Sequence, residues 1–207
     1  MFDYTVFIGR FQPFHSGHLQ VVLQALQQSK ELIMVLGSHN QPRTPRNPFT
    51  TDERIDIIRA AMGKEYADRI HFVPVEDHKY NLQRWITQVQ SGVYDVINKK
   101  WRAEGYKVAL IGMKKDYSSF YLNLFPTWDN IPVDPYFDPS KTLSATDFRN
   151  LIYQTPKQID QQTSSTKYIV SQGHREEIQK KIDQAGKEFD RVIEKNTLLR
   201  DYSDEWG

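Results

Sequence analysis

Two histidines three residues apart, His15 and His18, lie in the stretch FIGRFQPFHSGH at positions 7–18. Imidazoles donate hydrogen bonds to phosphate oxygens and, when protonated, add positive charge where negative charge develops in a transition state. Gly17 keeps side-chain bulk away, so that backbone amides can approach a ligand. The free amides of a helix that begins here would favour an anion. The stretch therefore predicts a phosphate-binding turn between a strand and a helix.

The histidine pair has two other interpretations, a zinc site and an ordinary surface turn. Zinc would need further ligands at metal spacing, and the chain contains no cysteine. We therefore expect no side chain of this protein to ligate a metal ion. The surface turn is disfavoured because a strongly apolar run, residues 4–8, comes directly before GRFQPF.

Ser144, Thr146 and Arg149 form a second candidate phosphate site. Hydroxyls at the first positions of a helix can cap it and bind phosphate oxygens together with the amides. Arg149 lies one turn beyond Thr146 on the same helix face and can supply a charge-assisted bond. Taken alone, the pattern favours a simple Ser/Thr cap. Its pairing with the histidine turn favours phosphate binding.

Buried strand-like runs alternate with helical apolar spacing along the first part of the chain. The predicted strands are residues 4–8, 32–36, 70–75, 107–111 and 131–133, and the predicted helices are residues 17–28, one capped by Thr50 or Thr51, residues 82–94 and one beginning near Ser144. The alternation predicts an α/β fold, a Rossmann-like doubly wound parallel sheet with helices on both faces. Ligands bind at the carboxyl ends of such strands, and the segments GRFQPFH, GS, EDHKYN and GMKKD follow them.

The composition limits the functional classes. Lys and Arg total 27 against 26 Asp and Glu, a net charge of +1, so we expect neither nucleic acid nor a membrane as a partner. The absence of cysteine and of a signal-like segment favours the cytoplasm. Residues 39–50 are basic and rich in proline, which predicts a mobile loop.

Three segments resemble those of a known family: GRFQPFHSGH, NPFTTDER and GMKKDYSSFYLNLFPTWD. They are similar to the nicotinamide mononucleotide adenylyltransferases of the HxGH nucleotidylyltransferase superfamily, in the type often fused to a Nudix hydrolase. The resemblance covers residues 1–155. It implies direct attack of the mononucleotide phosphate on the α-phosphorus of ATP, giving NAD and pyrophosphate without a covalent intermediate. Mg²⁺ would be bound through the ATP phosphates.

The resemblance also implies a set of site residues. The catalytic residues would be His15, His18 and Arg149. ATP would be bound by these three together with Ile8, Gly9, Arg10, Gln12, Gly112, Ser144 and Thr146. Nicotinamide mononucleotide would be bound by Asn47, Arg54, Asn81 and Trp85, although ordinary helix packing stays an alternative for Trp85. Met113 stands where relatives often have histidine, which puts an adenine or ribose contact there in doubt.

The remainder, residues 156–207, reads as a linker and a charged helical extension without a Nudix glutamate box. The chain is either a stand-alone enzyme or part of a bifunctional protein, and Tyr202 and Trp206 resemble the connector that precedes the hydrolase in bifunctional relatives. The alternative for the extension is a charged helix that packs on the core or on a neighbouring subunit of a homo-oligomer. Two other functions stay open. One is a nucleotidyltransferase whose acceptor is nicotinate mononucleotide, phosphopantetheine or a sugar phosphate, and the other is a nucleotide-sensing module.

Overall fold

The computed structural model describes residues 1–100, 105–112, 121–133, 145, 146 and 149. Within them, five β-strands and three α-helices occur in the order β1 (Phe2–Gly9), α1 (Ser16–Gln28), β2 (Ser29–Leu36), α2 (Thr51–Met62), β3 (Ile70–Pro74), α3 (Leu82–Lys100), β4 (Val108–Ile111) and β5 (Asp129–Ile131). A 3₁₀ helix, Lys64–Arg69, leads into β3. No helix in this described part is long and apolar enough to span a bilayer.

The five strands form one parallel sheet in the order β3-β2-β1-β4-β5. The strand order reverses between β1 and β4, and ligands of such sheets bind outside the carboxyl ends of the strands at this reversal. The predicted α/β fold with a Rossmann-like parallel sheet is confirmed.

β1 is buried on both faces, as its continuous apolar sequence predicts. Its even positions, Tyr4, Val6 and Ile8, belong to a core cluster that also contains apolar residues of α3. Its odd positions, Thr5 and Phe7, point to the other face and are also buried. Apolar side chains therefore cover the central strand from both sides.

The chain divides into two compact units. The first comprises Met1–Arg10, Gln20–Gln41 and Tyr66–Phe137, and the second comprises Phe11–Leu19, Pro42–Glu65 and Asp138–Gly207. The first unit contains the sheet. The second contains the histidine turn, α2, and the described residues Ala145, Thr146 and Arg149.

α1 passes into β2 without an intervening residue. The Ser29 hydroxyl donates to the carbonyl of Ala25 (2.8 Å), and the Arg69 guanidinium donates to the carbonyls of Leu26 (2.7 Å) and Ser29 (2.9 Å). Carbonyls at a helix C-terminus have no partner within the helix. Here side chains supply that partner in place of a capping loop.

Several predicted boundaries were wrong. β1 begins at Phe2 and β2 at Ser29, two and three residues earlier than predicted, because these two residues pair with each other despite the polar side chains that follow them. α3 continues six residues beyond Tyr94 to Lys100, because Val93 and Ile97 carry the apolar spacing into a buried face. β5 begins at Asp129, two residues earlier than predicted, where it pairs with β4. The predicted domain boundary near residue 155 and the extension at 156–207 lie outside the described residues.

Candidate functional site

His15 lies immediately before α1 and is 8% exposed. The main-chain N–H of Gly17 donates to its Nδ1 (3.1 Å), so Nδ1 acts as an acceptor and the proton of the neutral ring lies on Nε2. The main-chain oxygen of His15 accepts a bond from the N–H of Leu19 (3.0 Å). The first turn of α1 thus fixes both the ring and the backbone of His15.

The imidazole of His18 is surrounded by other rings. Its centroid lies 3.7 Å from that of His15, with 32° between the planes. Phe14 stacks on it at 5.7 Å, and Phe11 meets it edge-on at 5.0 Å. Phe11 itself has a positive φ of 50°, an uncommon conformation for a large residue. These rings set the imidazole plane before any ligand arrives.

Gln12 is 1% exposed, and its amide is bonded to the main chain of a distant residue. Its Nε2 donates to the carbonyl of Phe49 (2.8 Å), and its Oε1 accepts from the N–H of Phe49 (3.0 Å). The sequence predicts that Gln12 lines the entrance to the ATP site. In the structure this side chain joins the histidine turn to the residue before Thr50, and its contact with ATP stays a prediction.

Arg149 lies close to the same turn. Its Nη1 donates to the main-chain oxygen of Gln12 (2.8 Å), and its Nη2 donates to Oγ1 of Thr146 (3.0 Å). The predicted placement of Arg149 and Thr146 on one helix face is therefore observed. Ser144, the other member of the predicted group, lies outside the described residues, as does Met113.

Thr50 caps α2, one of the two predicted alternatives. Its hydroxyl accepts from the N–H of Glu53, whose carboxylate accepts from the N–H of Thr50 (2.8 Å). Arg43 donates two bonds to the same carboxylate (2.7 and 2.9 Å) and one to the carbonyl of Pro48 (2.6 Å). Burial raises the pKa of Glu53, but the bonds from Arg43 and Thr50 outweigh it, and the net pKa is lowered. The part of the loop predicted to be mobile is held here by hydrogen bonds.

Two residues predicted to bind the mononucleotide flank this cap. Asn47 closes a tight turn with Thr44 (N···O 2.9 Å), and its buried Oδ1 has no hydrogen-bond partner among the residues that the structure describes. Arg54 is 1% exposed, and its guanidinium donates to the Thr50 carbonyl (3.2 Å) and the Thr51 hydroxyl (3.0 Å). Arg54 thus supports the first turn of α2.

In the first unit, β1 ends at Ile8 and Gly9. The carbonyl of Gly9 accepts from the N–H of Gly37 (3.0 Å), which ties the end of β1 to the end of β2, and Arg10 follows as an exposed residue. Gly112 follows β4, and a Cβ there would come within 2.8 Å of the Tyr121 hydroxyl. Burial raises the pKa of Tyr121 to about 12. Gly112 is therefore needed for close packing as well as being a predicted nucleotide contact.

Ser38 and Asp77 form a polar contact that the sequence analysis did not single out. The main-chain N–H and the hydroxyl of Ser38 both donate to the Asp77 carboxylate (3.1 and 2.7 Å). Ser38 has φ 54°, so its backbone is in the left-handed region. The segments GS and EDHKYN, which contain these residues, both follow predicted strands, and this position marks them as candidates for a site. Their contact could not be predicted, because it depends on the pairing of β2 with β3.

Asn81 and Trp85 lie at the start of α3, one turn apart. Oδ1 of Asn81 accepts from the N–H of Arg84 (2.9 Å), which makes it a helix cap. Trp85 is half-buried against the core, 6.1 Å from the ring of Phe125, which stacks on Trp128 at 4.5 Å with 9° between planes. Packing, the alternative considered for Trp85, is therefore observed, while its role in binding is untested.

The described residues contain no group of three or more histidine, aspartate or glutamate side chains arranged to hold a metal ion. The histidine turn provides two ordered imidazoles at the start of α1, and a guanidinium lies in the same unit. Such donors suit phosphate oxygens and the charge that develops on them.

The cytidylyltransferase-like family matches residues 6–172, most of the chain. This chain is a member of the cytidylyltransferase-like family. Within that family, the nicotinamide/nicotinic acid mononucleotide adenylyltransferase of Acinetobacter baylyi is 44% identical over 153 residues, which are 74% of this chain and 77% of that protein.

Two solved structures of a bifunctional NMN adenylyltransferase/ADP ribose pyrophosphatase from Francisella tularensis also resemble this cytidylyltransferase-like chain. One is 37% identical with a TM-score of 0.63 and covers 74% of this chain and 42% of its own. The other, complexed with AMP and a manganese ion, is 30% identical with a TM-score of 0.62 and covers 100% of this chain and 56% of its own. The chain thus spans about half the length of these structures. The predicted resemblance and the nucleotidyltransferase class are confirmed.

Proposed function

We propose that this protein transfers the adenylyl group of ATP to nicotinamide mononucleotide, giving NAD and pyrophosphate. The observation that supports this best is the ordered imidazole pair at the start of α1, 3.7 Å between ring centroids, in a chain 44% identical to an adenylyltransferase of this substrate class. A phosphate nucleophile is already ionised at neutral pH, so the reaction needs positioning and charge stabilisation more than a protein base.

We assign the triphosphate to the second unit. His15 would donate from Nε2, because its Nδ1 is occupied by Gly17. His18 would stabilise the negative charge that develops at the α-phosphate. Arg149 and Thr146, with Ser144, would hold the β- and γ-phosphates that leave as pyrophosphate. Ile8, Gly9, Arg10 and Gly112 of the first unit stay predicted contacts of the nucleotide.

The mononucleotide contacts are proposed from Asn47, Arg54, Asn81 and Trp85. The buried Oδ1 of Asn47 has no partner in the described part of the chain, so its acceptor capacity remains for a hydrogen bond from the ligand. Trp85 keeps part of its indole exposed, and an indole face can stack on a pyridine ring. Arg54 would act mainly by supporting α2, since its guanidinium is already bonded there.

We propose that the ATP enters as its magnesium complex, with the ion bound through the phosphates. The related Francisella structure contains a manganese ion with AMP, which supports the use of a divalent cation in that protein. A cytoplasmic location, a homo-oligomer and a domain boundary near residue 155 stay predictions.

The test is NAD formation from ATP and nicotinamide mononucleotide with Mg²⁺, run beside nicotinate mononucleotide. The second acceptor is included because the Acinetobacter relative is named for both. NAD formation at the higher kcat/KM supports the proposal. A clear preference for nicotinate mononucleotide, or for a non-pyridine phosphate, would replace the acceptor. ATP binding without release of pyrophosphate would favour the nucleotide-sensing alternative.

A further inference from the structure

The side chain of Gln12 has a structural role besides the predicted contact with ATP. Its side chain is 1% exposed, and both ends of its amide are bonded to one residue, Phe49, 37 positions away. A residue with so little exposed area presents almost no surface to a ligand. It fixes the backbone at residue 12 by a two-bond contact with a buried main-chain N–H and C=O.

The main chain of Gln12 contacts Arg149, the residue that we propose holds the phosphates. Its carbonyl oxygen accepts from Arg149 Nη1 (2.8 Å), while Nη2 of the same guanidinium donates to Thr146 (3.0 Å). A charge-assisted bond of this kind holds a planar guanidinium in one orientation. The orientation of Arg149 therefore depends on where the Gln12 carbonyl lies.

We propose that Gln12 is a positioning residue: its amide, bonded to Phe49, holds its own carbonyl where it orients the Arg149 guanidinium. Three stretches distant in sequence, the histidine turn, the segment before Thr50 and the helix that carries Arg149, are joined through this one residue. The inference rests on the proposed function only for what Arg149 then does, namely hold the departing phosphates.

The first experiment does not depend on catalysis. Gln12→Met keeps the length of the side chain and removes both bonds to Phe49. We expect ¹⁵N relaxation of the Arg149 Nε–H signal, assigned by its absence in Arg149→Lys, to show an ordered side chain in the parent protein and increased motion in Gln12→Met. The matched control is Gln24→Met, a glutamine whose amide also donates to a main-chain carbonyl, that of Pro132 (2.7 Å). Unchanged order of Arg149 in Gln12→Met would overturn the inference.

The second experiment is a double-mutant cycle on kcat/KM for ATP. Misplacement of a phosphate-binding group by about 1 Å can cost on the order of 10²-fold, so we expect a loss of about 10- to 100-fold in Gln12→Met. In an Arg149→Ala background the same change should cost less than about twofold, because the group that it positions is gone. Losses that multiply would mean that Gln12 acts without Arg149, and would contradict the proposal.

A further variant, Gln12→Asn, provides the test if Gln12→Met misfolds. If Gln12→Met does not fold, Gln12→Asn carries the same amide on a side chain one methylene shorter. It should increase the motion of Arg149 in the same way, since the amide no longer reaches both main-chain groups of Phe49. Full order of Arg149 in Gln12→Asn would overturn the inference. A chain inactive with every acceptor, yet with Arg149 released in these variants, would refute the proposed reaction and leave the positioning role supported.

Discussion

The histidine turn and the aromatic edge, our name for the cluster of Trp85, Phe125 and Trp128, differ in what holds them: hydrogen bonds add to the ring packing around His18 in the first, whereas only ring packing is observed between the side chains of the second. In the turn, His15 and Gln12 are each fixed by directional bonds to main-chain groups. At the aromatic edge, Trp85, Phe125 and Trp128 are fixed by ring packing, and the Nε1 of buried Trp128 has no hydrogen-bond partner in the described part of the chain. The first arrangement orients polar groups, and the second contributes mainly apolar burial. We therefore expect mutations to affect activity in one region and stability in the other.

The largest effect should come from Phe125→Ala. Phe125 is 2% exposed and stacked on Trp128, so its removal leaves a cavity and should lower the free energy of unfolding by about 3–5 kcal/mol. Urea denaturation measures this loss. Tyr80→Ala, which removes an aromatic ring that is fully exposed, is the control and should change little. A loss below about 1 kcal/mol for Phe125→Ala would mean that the aromatic edge is not the stabilising region.

His18→Ala, in the histidine turn, should lower activity rather than stability. We expect kcat for NAD formation to fall by on the order of 10²-fold or more, with a smaller change in ATP affinity, because the ring would act on charge that develops in the transition state. Steady-state kinetics and calorimetric ATP binding separate the two quantities. His71→Ala, a histidine hydrogen-bonded to Glu31 in the sheet, is the control. Equal losses in kcat and affinity would show that His18 only binds.

Trp85→Ala tests whether Trp85 binds the mononucleotide as well as packing against the core. Stacking contributes about 0.5–1.5 kcal/mol, so KM for the mononucleotide should rise by roughly 2- to 12-fold while KM for ATP is unchanged. Trp85→Phe retains a ring and should lose less. A rise in KM for ATP instead would assign Trp85 to the other substrate, and no change in either KM would leave it a packing residue.

The smallest effect concerns the pH dependence of stability. The pKa of Glu53 is lowered in the folded protein, so its contribution is fully present above its unfolded pKa and is lost as the pH falls through the folded value. Glu53→Gln should therefore lower the urea midpoint at neutral pH, and the difference from the parent should vanish in acid. Asp52→Asn, in the same first turn, is the control for charge alone. A difference independent of pH would mean that Arg43 and Thr50 do not stabilise the ionised carboxylate.

The fold could be predicted from local patterns because residues 4–8 of β1 and 32–36 of β2 are largely apolar runs, and the Thr50 cap with Glu53 three residues later marks the start of α2. The position of the histidine turn at the start of α1 was predictable, because the residues of HSGH are neighbours in the sequence. The amide of Gln12 bonded to Phe49 was not, because that contact joins residues 37 apart and exists only after folding. The sequence likewise could not reveal that Arg54 is buried within α2. The Asn81 cap of α3 was within its reach, because asparagine stands directly before the predicted helix and the contact is local.

The junction of α1 with β2 has a consequence for sequence divergence. With no linker residue between Gln28 and Ser29, one added residue would rotate α1 by about 100° against the strand, or exchange the two faces of β2. Either change would turn buried side chains outward, and Arg69 would no longer meet the carbonyls of Leu26 and Ser29. We therefore expect alignments of relatives to be free of gaps from His18 to Leu32, so that indels accumulate elsewhere in the chain.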